Sequence, residues 1–209
     1  MKREYINKIF DIFQSNNPSP QTELNYKNNY TLLVAVVLSA QSTDIGVNKA
    51  TKNLFEIADN PDDMIKLGED RLKKHINTIG LYNQKAKNVI ALSQILIDKF
   101  SGKTPKDLDL LQSLPGVGRK TANVVLNCAF GFDNIGVDTH VFRVSNRIGL
   151  VKSDNLLKVE QGLLKKIPKE YKKYAHHWLI LHGRYICIAR KPKCQICQIN
   201  DFCKSKLKY

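Results

Sequence analysis

The stretch Leu114-Pro-Gly-Val-Gly-Arg-Lys-Thr-Ala-Asn-Val-Val-Leu-Asn-Cys-Ala-Phe-Gly-Phe-Asp-Asn-Ile-Gly-Val-Asp138 decides how this chain is built. Pro115, Gly116 and Gly118 interrupt a helical pattern that resumes as an apolar run from Thr121 to Phe130, so the segment reads as helix, glycine hairpin, helix. With no side chains at 116 and 118, the phosphate of a polyanion can reach the backbone N–H groups of Gly116, Val117, Gly118 and Arg119. The positive end of the second helix adds to the attraction. Lys120 falls in the first turn of that helix, where the dipole disfavours a cation. A residue set against its own propensity points to work beyond folding. Two nucleotide motifs do not fit: a Walker loop needs Gly at Ser113 and Lys at Arg119, and a dinucleotide fingerprint needs Gly at Thr121.

Charge points the same way as the hairpin. The 209 residues, enough for one domain or two modest ones, carry 33 Lys and Arg against 19 Asp and Glu, a net +14 with a pI near 9.6. From Asp133 to Tyr209 the count is 16 against 6, so the C-terminal part holds most of the excess. A polyanionic partner is the simplest cause, with a solvated basic surface as the bland alternative.

Upstream of the hairpin the chain reads as a series of helices. Residues 2–16 place Tyr5, Ile6, Ile9, Phe10 and Phe13 at helical spacing, and Asn16-Asn17-Pro18-Ser19-Pro20 ends the segment. Tyr30 to Leu38 is a core helix, followed by the polar break Gln41 to Asp44 and a helix carrying Val47, Ala50, Leu54 and Phe55. That break either faces a ligand or is an N-cap by Ser42, Thr43 or Asp44. Two short helices, from Pro61 to Gly68 and Glu69 to Thr78, close on Ile79-Gly-Leu-Tyr-Asn83. Leu81 in that turn is either an apolar wedge of the kind that enters a base stack or a leucine folded onto the core. Lys85 to Phe100 is amphipathic, with Ala86, Val89, Ile90, Ser93, Leu96 and Ile97 on one face.

Downstream, Asp138, Thr139 or both cap a helix from Val141 to Ile148, and Val159 to Ile167 and Tyr171 to His182 are two more. No stretch alternates apolar and polar residues over more than a few positions, so strands are not expected. The chain reads as nearly all helix in two interleaved lobes. No apolar run reaches 18 residues, and Met1 to Phe10 lacks the apolar core of a signal peptide. These features predict a soluble protein of a reducing compartment, the cytoplasm, with no membrane contact.

Cys187, Cys194, Cys197 and Cys203 give the spacing Cys-x6-Cys-x2-Cys-x5-Cys, four soft ligands within 17 residues. Structural zinc usually has two short Cys knuckles and this pattern has one, which favours a 4Fe–4S cluster over zinc. Between the first two ligands, Arg190, Lys191 and Lys193 with Pro192 form either a rigid phosphate clamp or a charged solvent loop. Cys128 reads as a small buried hydrophobe, and His176, His177 and His182 lack the spacing of helical zinc pairs.

The Leu114 to Ala122 hairpin, Val137-Asp-Thr-His140 and the cysteine tail together resemble the endonuclease III family of the helix-hairpin-helix DNA glycosylase superfamily. Leu38 to Asp44, Ile79 to Asn83 and His177 to Tyr185 fit the same pattern, so the likeness runs from about residue 30 to 203. It implies an all-α fold of two helical domains flanking a DNA-binding cleft. A six-helix barrel with the hairpin would span 21–132, and 1–20 plus 133–209 would form an iron–sulfur domain. It also implies a monomeric base excision repair enzyme with one 4Fe–4S cluster. Its substrate would be double-stranded DNA containing oxidised pyrimidines or abasic sites.

By the same likeness Lys120 matches the nucleophile, Asp138 the catalytic carboxylate, and Gln41 and Leu81 the residues that fill the gap left by a flipped nucleotide. Lys120 would attack C1′ as a neutral amine, a form favoured by the helix N-terminus, by desolvation in the cleft and by Arg119. Two other readings stay open here. An adenine glycosylase shares hairpin, aspartate and cysteines but as a rule lacks the lysine and has a further C-terminal domain. A helix-hairpin-helix module with a structural metal would bind DNA without chemistry.

Overall fold

The computed structural model describes residues 1–205, and every regular element among them is helical. In chain order these are α1 (Arg3–Asn16), α2 (Asn29–Leu38), α3 (Asp44–Thr51), α4 (Leu54–Ile57), α5 (Pro61–Leu67), α6 (Glu69–Ile76), α7 (Tyr82–Phe100), α8 (Leu108–Gln112), α9 (Arg119–Phe130), α10 (Thr139–Ile148), α11 (Leu156–Lys166) and α12 (Lys169–Tyr185). Two 3₁₀ turns, Cys194–Ile196 and Asn200–Phe202, follow. The expectation of an all-helical chain holds. The chain divides into two compact units, Thr22–Phe130 and Met1–Gln21 with the residues from Gly131 onward.

In the unit Thr22–Phe130, α2 is the central element because it is apolar all round, and every side chain from Tyr30 to Leu38 is buried. Its start is fixed by a capping box in which Thr31 N–H donates to Asn28 Oδ1 at 2.9 Å and Asn28 N–H donates to Thr31 Oγ1 at 2.9 Å. Helices α3, α7 and α9 pack against α2, and the Tyr30 hydroxyl and Ser93 Oγ form a buried bond of 2.6 Å across it to α7. Ala122, Val124, Val125 and Leu126 of α9 are buried in the same core. Each large side chain so buried contributes about 1.5–3 kcal/mol, which fixes the helix that carries Lys120.

The helix expected through Val47 and Phe55 is interrupted after Thr51. Thr51 Oγ1 donates back to the Val47 carbonyl at 2.9 Å, a bond that bends helices, and a one-turn helix begins again at Leu54. Of the three candidate caps before α3, Thr43 is the one used: its Oγ1 accepts from Gly46 N–H at 3.1 Å. The inward stripe of α7 is Lys85, Ala86, Val89, Leu92, Ser93 and Leu96, with Leu92 buried where Ile97 was expected.

The second unit packs α1 through Ile6, Ile9, Phe10 and Phe13 against α12. Phe10 stacks on Tyr171 at 5.6 Å, and Trp178 Nε1 donates to the Asn17 carbonyl at 2.8 Å. Helices α10 and α12 approach closely because Gly183 faces α10. A Cβ there would sit 2.9 Å from His140 Cβ, closer than side chains tolerate. His176, His177 and His182 are buried in this unit. No helix among the described residues is long and apolar enough to cross a membrane.

Candidate functional site

The hairpin between α8 and α9 is anchored from below. Leu114 and Val117 are buried, and Val117 N–H donates to the Leu114 carbonyl at 3.1 Å, closing a tight turn. The two glycines of the turn differ in what they answer to. Gly116 has φ +79°, and a Cβ there would meet Asn88 Nδ2 of α7 at 2.8 Å, so both backbone and packing exclude a side chain. Gly118 is exposed, has no positive φ, and has open space where a Cβ would go. Nothing among the described residues demands glycine at 118. The Gly118 carbonyl accepts from Ala122 N–H at 2.9 Å, so this bare residue stands at the mouth of α9. There the first turn of a helix leaves amides without intrahelical partners.

Lys120 is half-buried in that first turn, and Arg119 beside it is exposed. About two helical turns further on, burial pushes the Cys128 thiol up to about 12 against the pull of the Lys120 charge. Cys128 therefore stays protonated and does not compete as a nucleophile.

Gln41 and Leu81 share an unusual backbone. Both are exposed and left-handed, with φ of 54° and 57°. Neither is glycine, and such conformations cost on the order of 1–3 kcal/mol each. Leu81, 61% exposed, does not fold back on the core. A Cβ on Gly80 would lie 3.7 Å from the Gln41 carbonyl oxygen, so the two turns adjoin. Lys85 Nζ donates to Ser42 Oγ at 2.8 Å between them.

In the other unit, Asp138 caps α10: its Oδ1 accepts from Val141 N–H at 2.8 Å, while Thr139 is the first helical residue. The carboxylate is half-buried and its orientation is set by the helix it starts. The same helix carries two arginines that grip the start of the cysteine tail. Arg143 donates from Nε to the Cys187 carbonyl at 3.1 Å and from Nη2 to the Gly183 carbonyl at 2.7 Å. Arg147 donates from Nη1 to the Ile188 carbonyl at 2.8 Å and from Nη2 to the Ala189 carbonyl at 3.2 Å.

Cys187, Cys194, Cys197 and Cys203 line one cavity together with Arg147, His182 and Pro192, and none is in a disulfide. Burial raises the Cys197 thiol, and the Arg147 Nη1 and Ser205 backbone N–H lie 3.6 and 3.4 Å from Cys187 Sγ and Cys203 Sγ. Among the described residues no three His, Cys, Asp or Glu converge tightly enough for a single metal ion. Four thiols around a cavity, with N–H donors at two sulfurs, suit a multi-iron cluster with one thiolate per iron. Arg190, Lys191 and Lys193 are exposed on the loop between the first two cysteines. That loop is pinned by Arg147, by buried Pro192 and by Lys193 N–H donating to the Ile186 carbonyl at 3.0 Å. Sequence reasoning found the hairpin, the aspartate and the cysteines but missed Lys85, Asn88, Arg143 and Arg147.

Residues 34–169 match the HhH-GPD superfamily base excision DNA repair protein family, and residues 187–203 match the iron-sulfur binding domain of endonuclease III. Endonuclease III of Rickettsia conorii (strain ATCC VR-613 / Malish 7) is 60% identical over 203 residues, 97% of each chain. Endonuclease III of Escherichia coli (strain K12) is 53% identical over 201 residues, 96% of this chain and 95% of its own. A solved structure of a trapped endonuclease III–DNA covalent intermediate, an estranged-adenine complex, has a TM-score of 0.91 at 46% identity, covering 98% of this chain and 96% of that one. A match over most of the chain, with near-full-length relatives at this identity, is decisive: the chain belongs to the endonuclease III family of the HhH-GPD superfamily of base excision DNA repair proteins.

Proposed function

We propose that Lys120 and Asp138 carry out the chemistry of this DNA glycosylase and abasic-site lyase, and that its substrates are oxidised pyrimidines in duplex DNA. The enzyme class follows from the family, and with it one 4Fe–4S cluster and binding to DNA. The observation that carries the residue assignment is the placement of a half-buried lysine two residues after an exposed hairpin glycine that no internal packing requires. A relative of the same fold has been caught covalently joined to DNA, and a lysine amine is the nucleophile suited to such a link.

In this mechanism the nucleotide leaves the stack, and Gln41 and Leu81 occupy the space it vacates, which offsets the few kcal/mol of unstacking. The Gly116, Gly118 and Arg119 edge of the hairpin and the backbone of Val117 hold phosphate. Arg190, Lys191 and Lys193 hold more of it. Lys120 Nζ attacks C1′ as the C1′–N bond breaks, and the departing base leaves with that electron pair and takes up a proton. Asp138 Oδ1 accepts the helix-cap bond, and the carboxylate stabilises the positive charge developing at the sugar. Ring opening gives the Lys120–C1′ imine, with O4′ protonated. Loss of a C2′ proton then expels the 3′ phosphate by β-elimination, and water releases the lysine.

Cys187, Cys194, Cys197 and Cys203 would hold the cluster, whose contribution would be to brace the 188–193 loop and not to take part in this chemistry. The residue boundaries we assign are 21–132 for the barrel domain and 1–20 plus 133–209 for the cluster domain. The enzyme acts as a monomer on DNA in the cytoplasm.

The test is product analysis on duplexes carrying thymine glycol. Base release with a strand end bearing the unsaturated aldehyde is expected, and Lys120→Ala removes both while still binding DNA. Wild-type protein that binds without cutting would instead be a non-catalytic module. Excision of mismatched adenine would identify the adenine glycosylase activity.

A further inference from the structure

Lys85 is 4% exposed and lies on the inward stripe of α7 with Ala86, Val89, Leu92 and Leu96. An apolar side chain there would extend the stripe without desolvating a charge, so packing alone does not account for a lysine. Burial lowers its pKa below the ordinary lysine value. Its ammonium is directed to one acceptor far away in sequence, Ser42 Oγ at 2.8 Å. Ser42 is the residue after left-handed Gln41. At its backbone, Lys85 donates N–H to the carbonyl of left-handed Leu81 at 3.0 Å. One residue is thus bonded to both strained turns, and the turns adjoin through Gly80 and the Gln41 carbonyl.

We propose that Lys85 is a positioning residue: its ammonium, bonded to Ser42, clamps the Gln41 and Leu81 turns into one wedge that enters the base stack as a unit. The inference rests on the assignment of Gln41 and Leu81 to the gap left by the extruded nucleotide. A wedge ordered before binding loses no conformational freedom on entering DNA, whereas two independent turns must be ordered at that moment. Loss of the clamp therefore weakens extrusion and leaves the reacting groups in place.

The experiment compares wild type with Lys85→Met, which keeps the buried stem, Ser42→Ala, which removes the acceptor, and Lys85→Arg, which restores a donor. Extrusion is read by 2-aminopurine fluorescence beside a paired lesion, together with kcat, KM and the melting temperature. The expected result is a rise in KM and a loss of extrusion of about tenfold for Lys85→Met and for Ser42→Ala. The double variant is no worse than either single one, Lys85→Arg recovers, and melting is unchanged or raised. On a lesion facing a mismatched base, already loosened from the stack, the defect shrinks.

Wild-type extrusion by Lys85→Met, or an equal loss on both duplexes with lowered melting, overturns the proposal. Gln41→Ala and Leu81→Ala are measured in parallel. If neither alters extrusion, the gap-filling assignment itself falls; if they do and Lys85→Met does not, only the clamp falls.

Discussion

The hairpin and the cysteine tail are both short turns set among helices, yet they are held by opposite means. The hairpin is seated by its own unit: Leu114 and Val117 are buried in the apolar core, and Asn88 fills the space against Gly116. The tail has two three-residue 3₁₀ turns with no buried residue in either, and it is secured by arginine bonds to its backbone, by Pro192 and Ile199, and by thiols around a cavity. A core therefore supports the element assigned to chemistry, while the tail is held by hydrogen bonds and a few apolar contacts and is expected to need the metal as well. Removing the metal separates the two.

The largest expected effect comes from that removal. Stripping iron and sulfide from the protein abolishes amide protection across 187–205 and leaves it intact across 114–130, measured by hydrogen exchange. The salt dependence of DNA binding loses about one unit of slope for each of Arg190, Lys191 and Lys193 that lets go of phosphate. Equal loss of protection in both segments would erase the contrast between hairpin and tail.

Asp138→Asn is next. Asparagine caps helices as well as aspartate, so melting stays within about 0.5 kcal/mol of wild type while single-turnover base excision falls by about 10²-fold. Asp138→Ala also loses the cap, worth about 1 kcal/mol.

The two glycines sharpen the comparison inside the hairpin itself. Gly116→Ala meets both the left-handed backbone and Asn88, and urea unfolding should register a loss of about 2 kcal/mol. Gly118→Ala leaves stability within about 0.5 kcal/mol and weakens binding to duplex DNA instead.

A smaller effect distinguishes the units by acid. Burial lowers His177 in α12 from 6.5 to about 4, so the folded form stays neutral where the unfolded chain takes up a proton. The stability this gives is full above pH 6.5 and drains away as pH falls toward 4, by about 1 kcal/mol between pH 7 and 5.5. His177→Phe should flatten that part of the pH profile relative to wild type.

Much of this was legible from residues because the signals are local. Proline and glycine mark the hairpin wherever the chain goes afterwards, and cysteine spacing announces a metal without any knowledge of packing. Capping was legible only as a choice, since Ser42, Thr43 and Asp44 are all good caps and the backbone geometry picks Thr43. The left-handed turns at Gln41 and Leu81 were hidden, because neither residue favours that conformation and local propensity gives no sign of it.

Lys85 did leave a trace. It stands at the spacing of Val89, Leu92 and Leu96, a lysine on an apolar stripe, but a reading that began the face at Ala86 passed it over. Arg143 and Arg147 left none, for on a short helix they look like any solvated basic face until α10 is packed beside residues 183–189.

The most direct measurement is borohydride reduction during turnover of a duplex containing an abasic site, followed by peptide mapping of the adduct. A covalent protein–DNA species is predicted, with the linkage on Lys120 and no adduct from Lys120→Ala. An adduct mapped to another residue, or one that forms at the normal rate without Lys120, would contradict the assignment of the nucleophile.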